Sequence, residues 1–155
     1  ISLTTIVGMF YGAKEFDKLL SVVNYGINRA VLITTISVIF FFVLASNILP
    51  IFSSNPLVID IGVTYLKIII LVYPAVGISV ICSRVCQALG QGMPLLITTI
   101  TRVIILTAPL SYYFYFTGRP IEWVWFSQVL AILIAATISF AWMRYYFRKF
   151  NIVRN

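Results

Sequence analysis

Histidine is absent from the 155-residue sequence, and acidic residues are scarce, with four Asp and Glu against 11 Lys and Arg. These absences argue against most acid–base and metal chemistry, because paired carboxylates and imidazoles are the groups that usually perform it. No serine or cysteine has a recognisable base beside it in the sequence. The composition therefore predicts a protein that is not an enzyme and has no bound metal or cofactor.

Cysteine is nearly absent as well. The two that occur, Cys82 and Cys86, lie one helical turn apart inside an apolar stretch. A disulfide at this spacing would strain a regular helix, and a metal site would need further soft or imidazole ligands. We therefore predict that both thiols pack as small residues inside a bundle.

What the sequence has in excess is apolar surface, with 61% hydrophobic residues and a net charge of +7. A soluble domain carries fewer apolar residues, and a nucleic-acid-binding protein places its basic residues on a soluble scaffold. Here the basic residues separate long apolar stretches, which predicts membrane lipid as a partner and no nucleic acid. Because Ile1 opens within an apolar run, we expect a fragment whose N-terminal part is missing.

Apolar and charged stretches alternate along the chain, and each apolar stretch is ~20 residues or longer, which favours membrane helices over barrel strands. The sequence predicts an all-α, polytopic membrane helical bundle. Its predicted parts are the end of a transmembrane helix (1–13), a cytoplasmic loop with an interfacial helix (14–29), four transmembrane helices (30–52, 61–88, 94–117 and 122–146) and a basic cytoplasmic tail (147–155).

The distribution of positive charge predicts the orientation of the chain. Of the 11 Lys and Arg residues, only Lys67 and Arg119 fall on one predicted side, and the other nine fall on the opposite side. Because cytoplasmic loops are enriched in Lys and Arg, we predict a multi-pass protein of the cell membrane with a cytoplasmic C-terminus. Lys67, near the start of its segment, and Arg102 are both predicted to extend toward the headgroups.

The third predicted span contains the polar groups of greatest interest. Pro74 and Gly77 predict a hinge, because proline removes a backbone hydrogen bond and bends a helix. Tyr73, Gly77, Ser79 and Ser83 are the candidate residues of a substrate cavity. The alternative is structural: the small residues permit close helix packing, and each serine bonds its own backbone.

Two further features lie at predicted helix ends. Gln87, Gly90, Gly92 and Pro94 form a predicted cytoplasmic turn, in which the glycines serve tight helix reversal rather than phosphate binding. The aromatic residues near Gly118 predict an interfacial belt, a structural feature before a substrate contact. They are Tyr112, Tyr113, Tyr115, Trp123 and Trp125.

The order of these features resembles the C-terminal half of the multidrug and toxic compound extrusion (MATE) transporters. GMFYGAK at 8–14 is similar to the family's G-Q-N-x-G-A-(K/R), and FSSNP at 52–56 to its F-(T/S)-x-(D/N)-P turn. YPAVG at 73–77, followed by QALGQGMP at 87–94, resembles the signature of the tenth helix and its cytoplasmic turn. Pro109-Leu110 and Trp125 also fall where the family has similar residues.

The resemblance implies a twelve-helix exporter of two lobes that uses Na⁺ or H⁺ as coupling ion. The chain would supply the end of the eighth helix and helices nine to twelve, and its partners would be the N-terminal lobe of the same polypeptide and a small organic substrate. Two departures stand out. Met9 and Phe10 replace the family's Gln-Asn pair, and the tenth helix has no mid-membrane carboxylate. The ion site is therefore expected in the missing N-terminal lobe.

Three hypotheses follow for the function. The first is cation-coupled antiport that exports organic, drug-like compounds across the cytoplasmic membrane. The alternative within the same superfamily is a flippase for lipid-linked oligosaccharides or other lipids, which should carry several cationic residues in its central cavity. The third is a membrane scaffold without transport, for which replacement of Pro74 would change stability alone.

Overall fold

The computed structural model describes residues 2–152, and the side chain of Ser2 is not described; Ile1 and the end of the predicted tail, 153–155 with Arg154, lie outside. Every element within 2–152 is helical, as predicted. The helices are α1 (Ser2–Gly12), α2 (Phe16–Phe52), α3 (Pro56–Ile70), α4 (Tyr73–Ala88), α5 (Met93–Ile100), α6 (Ala108–Phe116) and α7 (Glu122–Lys149), with a π-helical segment, Thr101–Thr107, between α5 and α6.

Three continuous helices are long and apolar enough to cross a membrane: α2, the run Met93–Phe116 and α7. The pair α3–α4 passes the same test as one span bent by 48°. The four predicted spans fall on these four units. Helix α7 continues to Lys149, so the first residues of the predicted basic tail are helical.

The sequence predicted a cytoplasmic loop with its own interfacial helix over 14–29, whereas residues 16–29 are part of the long helix α2. Only residues 13–15 leave the helical path, and α2 then runs unbroken for 37 residues from Phe16. The charged cluster at 14–18 suggested a long loop, yet no proline follows it before residue 50, and one glycine costs only about 1 kcal/mol relative to alanine in a helix. Leu19 and Val23 are fully buried and fix this part of α2 on the bundle.

The third predicted span, 61–88, begins earlier than expected and is broken. Helix α3 starts at Pro56, where the Oδ1 atom of Asn55 accepts a hydrogen bond from the N–H of Leu57 at 3.0 Å. The break falls at residues 71 and 72, one turn before Pro74. Proline has no N–H to donate to the Ile70 carbonyl, and its ring clashes with that carbonyl, so the helix bends there.

The π-helical segment has a similar cause. It ends two residues before Pro109, which cannot donate to the Ile105 carbonyl. Widening the helix to i−5 spacing moves the carbonyls away from the proline ring, and the Thr107 hydroxyl donates to the Arg102 carbonyl at 2.8 Å. The segment 94–117 was predicted as an unmodified helix, so this widening is new.

Four helices end in the same C-terminal motif. After α4, the N–H of Gly90 donates to the Gln87 carbonyl at 3.0 Å and that of Gln91 to the Cys86 carbonyl at 2.9 Å. This is the Schellman pattern, which requires a residue with positive φ. Among residues 2–152, the four with positive φ are Lys14, Gly90, Gly118 and Asn151, which follow α1, α4, α6 and α7.

Helix α7 lies at the centre of the bundle and contacts α3, α4, α5, α6 and the π-helical segment. A row of buried residues spaced by four runs along it, which we call the α7 seam: Ser127, Ala131, Ala135, Ser139, Met143 and Phe147. Small residues at this spacing let helices approach closely in membranes. The last two join a core cluster with residues of α1, α2 and α4 that includes both cysteines, which are free and fully buried.

One aromatic residue departs from the predicted interfacial belt. Tyr112, Tyr113, Tyr115 and Trp123 are exposed, as a belt requires. Trp125 instead is buried, and its ring packs edge-on against Tyr65 of α3 with the ring centres 5.5 Å apart. Trp125 therefore belongs to the contact between α3 and α7.

Candidate functional site

The polar interior of the bundle is built from four hydroxyl groups on three helices, Ser79, Ser83, Thr98 and Ser139, which we call the hydroxyl cluster. Ser79 and Ser83 lie one turn apart on α4 and face α7. The Oγ atoms of Ser79 and Ser139 are 3.0 Å apart, and Ser83 donates to Ser139 over 3.5 Å. Ser139 in turn donates to Thr98 of α5, also over 3.5 Å. The cluster therefore connects three helices through side chains alone.

Three of these hydroxyl groups are almost inaccessible, with exposed fractions of 3% for Ser83, 5% for Thr98 and 1% for Ser139, whereas Ser79 is partly exposed. Ser139 has a single hydrogen, which it donates to Thr98, so it accepts from the serines of α4. The chain of hydrogen bonds thus runs from α4 through α7 and ends at Thr98. The structure assigns no acceptor within residues 2–152 to the hydrogen of Thr98 itself.

A cavity of about 100 Å³ adjoins the cluster between α4, α5 and α7. Ser79, Ser83 and Thr98 contribute to its wall, together with Arg102, the single charged residue among the described lining. We call this space the Arg102 cavity. Its remaining lining residues are Val80, Leu95, Thr99 and Ala135.

Arg102 was predicted to extend toward the cytoplasmic headgroups, but its side chain lines this cavity. It is the second residue of the π-helical segment and lies nine residues after Met93, about 14 Å along the helix at 1.5 Å per residue. Within residues 2–152, no carboxylate, hydrogen-bond acceptor or aromatic ring is paired with its guanidinium. Other arginines do have partners: Arg84 donates to Gln87 at 3.1 Å, and Arg119 lies 5.3 Å from the ring centre of Trp123.

The four candidate cavity residues separate into two groups. Ser79 and Ser83 line the Arg102 cavity, whereas Tyr73 is 44% exposed at the start of α4. Gly77 faces α2, and a methyl group placed on it would lie 3.3 Å from the Cγ2 atom of Thr34. Gly77 therefore permits close approach of α2 and α4, as the structural alternative held. Of the two predicted hinge residues, Pro74 is the one that lies beside the break.

The predicted cytoplasmic turn joins α4 to α5. The Gln87 side chain accepts the hydrogen bond of Arg84, and Gly90 adopts a φ of +78° in the Schellman cap. Gly92 directly precedes α5, and Pro94 is fully buried in its first turn. These contacts end α4 and begin α5.

Lys67 lies deeper in the bundle than predicted. Because α3 begins at Pro56, Lys67 is in its last turn, about 16 Å from the helix start. Its Nζ atom lies 5.6 Å from the ring centre of Phe42 on α2. An aromatic face is a partner that a cation can have in a medium without water. The lysine lies four residues before the break.

Ser139, Thr98 and the cavity position of Arg102 were not predicted. The signal for Ser139 was present in the four-residue spacing of small residues along α7, which marks the face that other helices cover. Thr98 and Arg102 lie four residues apart, so they share a helix face, but which neighbouring helices that face meets depends on the packing of distant segments. No group of three or more His, Cys, Asp or Glu able to hold a metal occurs within the described part of the chain.

A larger groove of about 490 Å³ lies between α6 and α7. Its walls are almost wholly apolar, from Leu110 and Phe114 to Trp123 and Leu130, with Ser127 as the one hydroxyl group. Such a surface offers little to orient a polar ligand. The polar chemistry of the described residues is concentrated at the Arg102 cavity.

Comparison with known proteins adds a family and a fold. The sequence profile of the MatE family matches residues 1–113. No curated protein sequence matches the chain. Among solved structures, an inward-facing multidrug resistance MATE family transporter of the MOP superfamily has a TM-score of 0.88 at 23% identity, covering 99% of this chain and 36% of its own length.

Two more solved structures agree. The outward-facing conformation of a MATE family transporter gives a TM-score of 0.87 at 23% identity, covering 97% of this chain and 34% of its own. A MOP superfamily transporter from Pyrococcus furiosus Vc1, described as having a binding pocket of reversed polarity that suggests a different function, gives 0.88 at 24%, covering 96% and 34%. At these identities the likeness shows the fold, and the chain spans about a third of each structure.

Proposed function

Because the chain belongs to the MatE family of transporters, we propose that it forms part of a secondary active transporter that exports organic, drug-like compounds across the cytoplasmic membrane. In this proposal, Na⁺ or H⁺ moves in the opposite direction and drives export. The remainder of the transporter, including an N-terminal lobe, supplies the other wall of the substrate path.

The observation that carries the proposal is the break between α3 and α4, where one membrane span is bent by 48°. Backbone groups left unpaired at membrane depth are tolerated where protein or cavity water meets them. Broken helices of this kind are typical of transporters, in which they lie near substrate and ion sites. A scaffold without transport has no need of such a break.

The similarity to structures in two conformations adds support. The fold matches an inward-facing transporter with a TM-score of 0.88 and an outward-facing one with 0.87. Nearly equal agreement is expected if this lobe moves as a unit while the access to the substrate path changes. We therefore propose that α1–α7 keep their mutual packing during transport.

The coupling ion is proposed to bind outside the described residues. The four acids of the chain are Glu15 and Asp17 at the start of α2, Asp60 in the first turns of α3, and Glu122 at the start of α7. All lie near helix ends, where solvent or caps meet their charge. The predicted alternative of a lipid flippase stays a prediction, since neither the family match nor the fold distinguishes it from export.

Dye efflux from a drug-sensitive host that expresses the complete gene containing this chain tests the proposal. We expect efflux that stops when the Na⁺ or H⁺ gradient is dissipated, and that falls when Pro74 is replaced by Ala. Pro56→Ala is the matched control, since Pro56 opens α3 at a position whose N–H has no helical partner. Efflux that persists without any ion gradient contradicts the proposal.

A further inference from the structure

Arg102 and Thr98 place two hydrogen-bond donors at one cavity without a described acceptor for either. Ser79 and Ser83 supply their hydrogens to Ser139, and Ser139 supplies its own to Thr98. The Thr98 hydroxyl therefore already accepts, and its own hydrogen is available. Four residues later, the guanidinium of Arg102 faces the same space with five N–H groups.

The position of Arg102 makes this arrangement costly unless something pairs with the charge. A cation about 14 Å along a membrane helix costs several kcal/mol when no counter-charge or headgroup meets it. The exposed faces on both sides of it, including Ile100 and Val103, are apolar. The side chain lines a cavity that also contains four hydroxyl groups, so its counter-charge is sought there.

The chemistry of the lining selects one class of ligand. A cation is repelled by the guanidinium, and the described lining contains no carboxylate to hold one. An apolar ligand would leave both donors unpaired. Planar N–H groups beside hydroxyl donors match an oxyanion, because a guanidinium binds phosphate and carboxylate oxygens in pairs.

The size of the cavity is consistent with this class. Its volume of about 100 Å³ is several times what one water molecule needs, so a tetrahedral group of four oxygens has room. We propose that the Arg102 cavity binds a phosphate group, held by the guanidinium of Arg102 and the hydroxyl group of Thr98. The phosphate comes either from inorganic phosphate or from the headgroup of an anionic lipid.

The π-helical segment contributes to this site. The Thr107 hydroxyl donates to the Arg102 carbonyl at 2.8 Å, so the backbone at Arg102 is held by a side chain as well as by the helix. Thr99, which also lines the cavity, bonds the Leu95 carbonyl at 2.8 Å. The backbone at Arg102 and the hydroxyl cluster are thus held before the anion arrives, which reduces the entropy lost on binding.

Binding is tested on the purified, delipidated chain in detergent, without any ion gradient, so the result does not depend on transport. One arm measures radiolabelled inorganic phosphate by equilibrium dialysis at constant ionic strength. The second arm measures a short-chain phosphatidylglycerol, with a diacylglycerol of the same chain length as the lipid that lacks phosphate. Arg84→Gln is the matched control, since Arg84 is exposed and lies outside the cavity.

We expect saturable binding in one arm, weakened at least about 10-fold by Arg102→Gln, as loss of charged hydrogen bonds predicts. Arg84→Gln should leave it unchanged, and Arg102→Lys should retain part of it. The arm that responds identifies the source of the phosphate. Absence of binding in both arms, or an equal loss in the Arg102→Gln and Arg84→Gln variants with unchanged helical circular dichroism, overturns the proposal.

Discussion

Ser139 is the residue through which three helices exchange hydrogen bonds. Its hydroxyl group lies between the serines of α4 and Thr98 of α5, and it is 1% exposed. Water rarely reaches a hydroxyl group buried in a membrane bundle, so a protein acceptor is the usual partner of its hydrogen. Ser139 accepts hydrogen bonds from the serines of α4 and donates its own hydrogen to Thr98.

Replacement of Ser139 by Ala should destabilise the chain measurably. The change leaves Ser79 and Ser83 without their acceptor, and we expect the free energy of unfolding in detergent to fall by about 0.5–1.5 kcal/mol. Thr137→Ala is the control on the same helix, because Thr137 is exposed and bonds only the Ile134 carbonyl. Equal losses for both variants would show that the cluster adds no stability between helices.

A second prediction concerns the two glycines of the cytoplasmic turn. Gly90 has a φ of +78°, whereas Gly92 has a φ of −81° and no atom within 4 Å of an added methyl group. Gly90→Ala should therefore lower the free energy of unfolding by about 1 kcal/mol, since a side chain in the left-handed region is strained. Gly92→Ala should not lower it. A destabilised Gly92→Ala variant with an unaffected Gly90→Ala variant would contradict the cap geometry.

Ser79 and Ser83 line the Arg102 cavity and Tyr73 and Gly77 do not, a separation that the sequence did not predict. At 100° per residue, Ser79 and Ser83 fall on one stripe of α4, and Tyr73 and Gly77 fall on another. Those angles follow from the helix alone. Which stripe meets α7 and which meets α2 depends on the packing of distant segments, and α7 lies some 60 residues further along the chain.

At the scale of elements, two prolines lie where the helices depart from regularity, whereas Pro50 lies in the last turn of α2 without a break. Pro74 predicted a bend, and the break lies within one turn of it. Pro109 produced a π-helical segment instead of a bend. Both effects relieve the same clash with an upstream carbonyl, and the choice between them depends on neighbouring helices that the local sequence does not describe.

Pro74→Ala should straighten the α3–α4 pair. The new N–H can donate to the Ile70 carbonyl, and two spin labels at the exposed positions 57 and 84 should move apart by about 3 Å if a 48° bend is removed. The native cysteines are fully buried and should not take up label. If the distance is unchanged, contacts with α2 and α7 hold the bend rather than the proline.

For α2, the sequence predicted an interruption that the structure does not contain. Charged residues at 14–18 favoured a loop with its own short helix, yet α2 continues without interruption from Phe16. A charged cluster marks where a chain leaves the hydrocarbon, but it does not end a helix. The 37 residues span about 55 Å, well beyond a ~30 Å hydrocarbon core, so part of α2 extends outside it.

For the whole molecule, the charge distribution still favours a cytoplasmic C-terminus. Lys67 was counted on the outer side, but it lies about 16 Å into the α3–α4 span, so the outer side retains Arg119 alone. The asymmetry that predicts orientation is therefore greater than the sequence suggested. The orientation itself remains a prediction.

Single cysteines at exposed turns test this orientation in intact cells. Ser54→Cys lies between α2 and α3 on the predicted outer side, and Met93→Cys lies at the start of α5 on the predicted inner side. A membrane-impermeant maleimide should label Ser54→Cys in intact cells and Met93→Cys only after lysis. The wild-type chain is the control, since its two thiols are buried. The reverse pattern would invert the topology.

The residues of the α7 seam follow a winding path around α7, because a spacing of four is slightly more than one helical turn. Each step of four residues advances about 6 Å and turns about 40°, so the seam winds around α7 as it rises. Ser127 meets Ser111 of α6, Ser139 meets α4 and α5, and Phe147 joins the cluster of α1 and α2. One row of side chains therefore meets helices on different sides of α7.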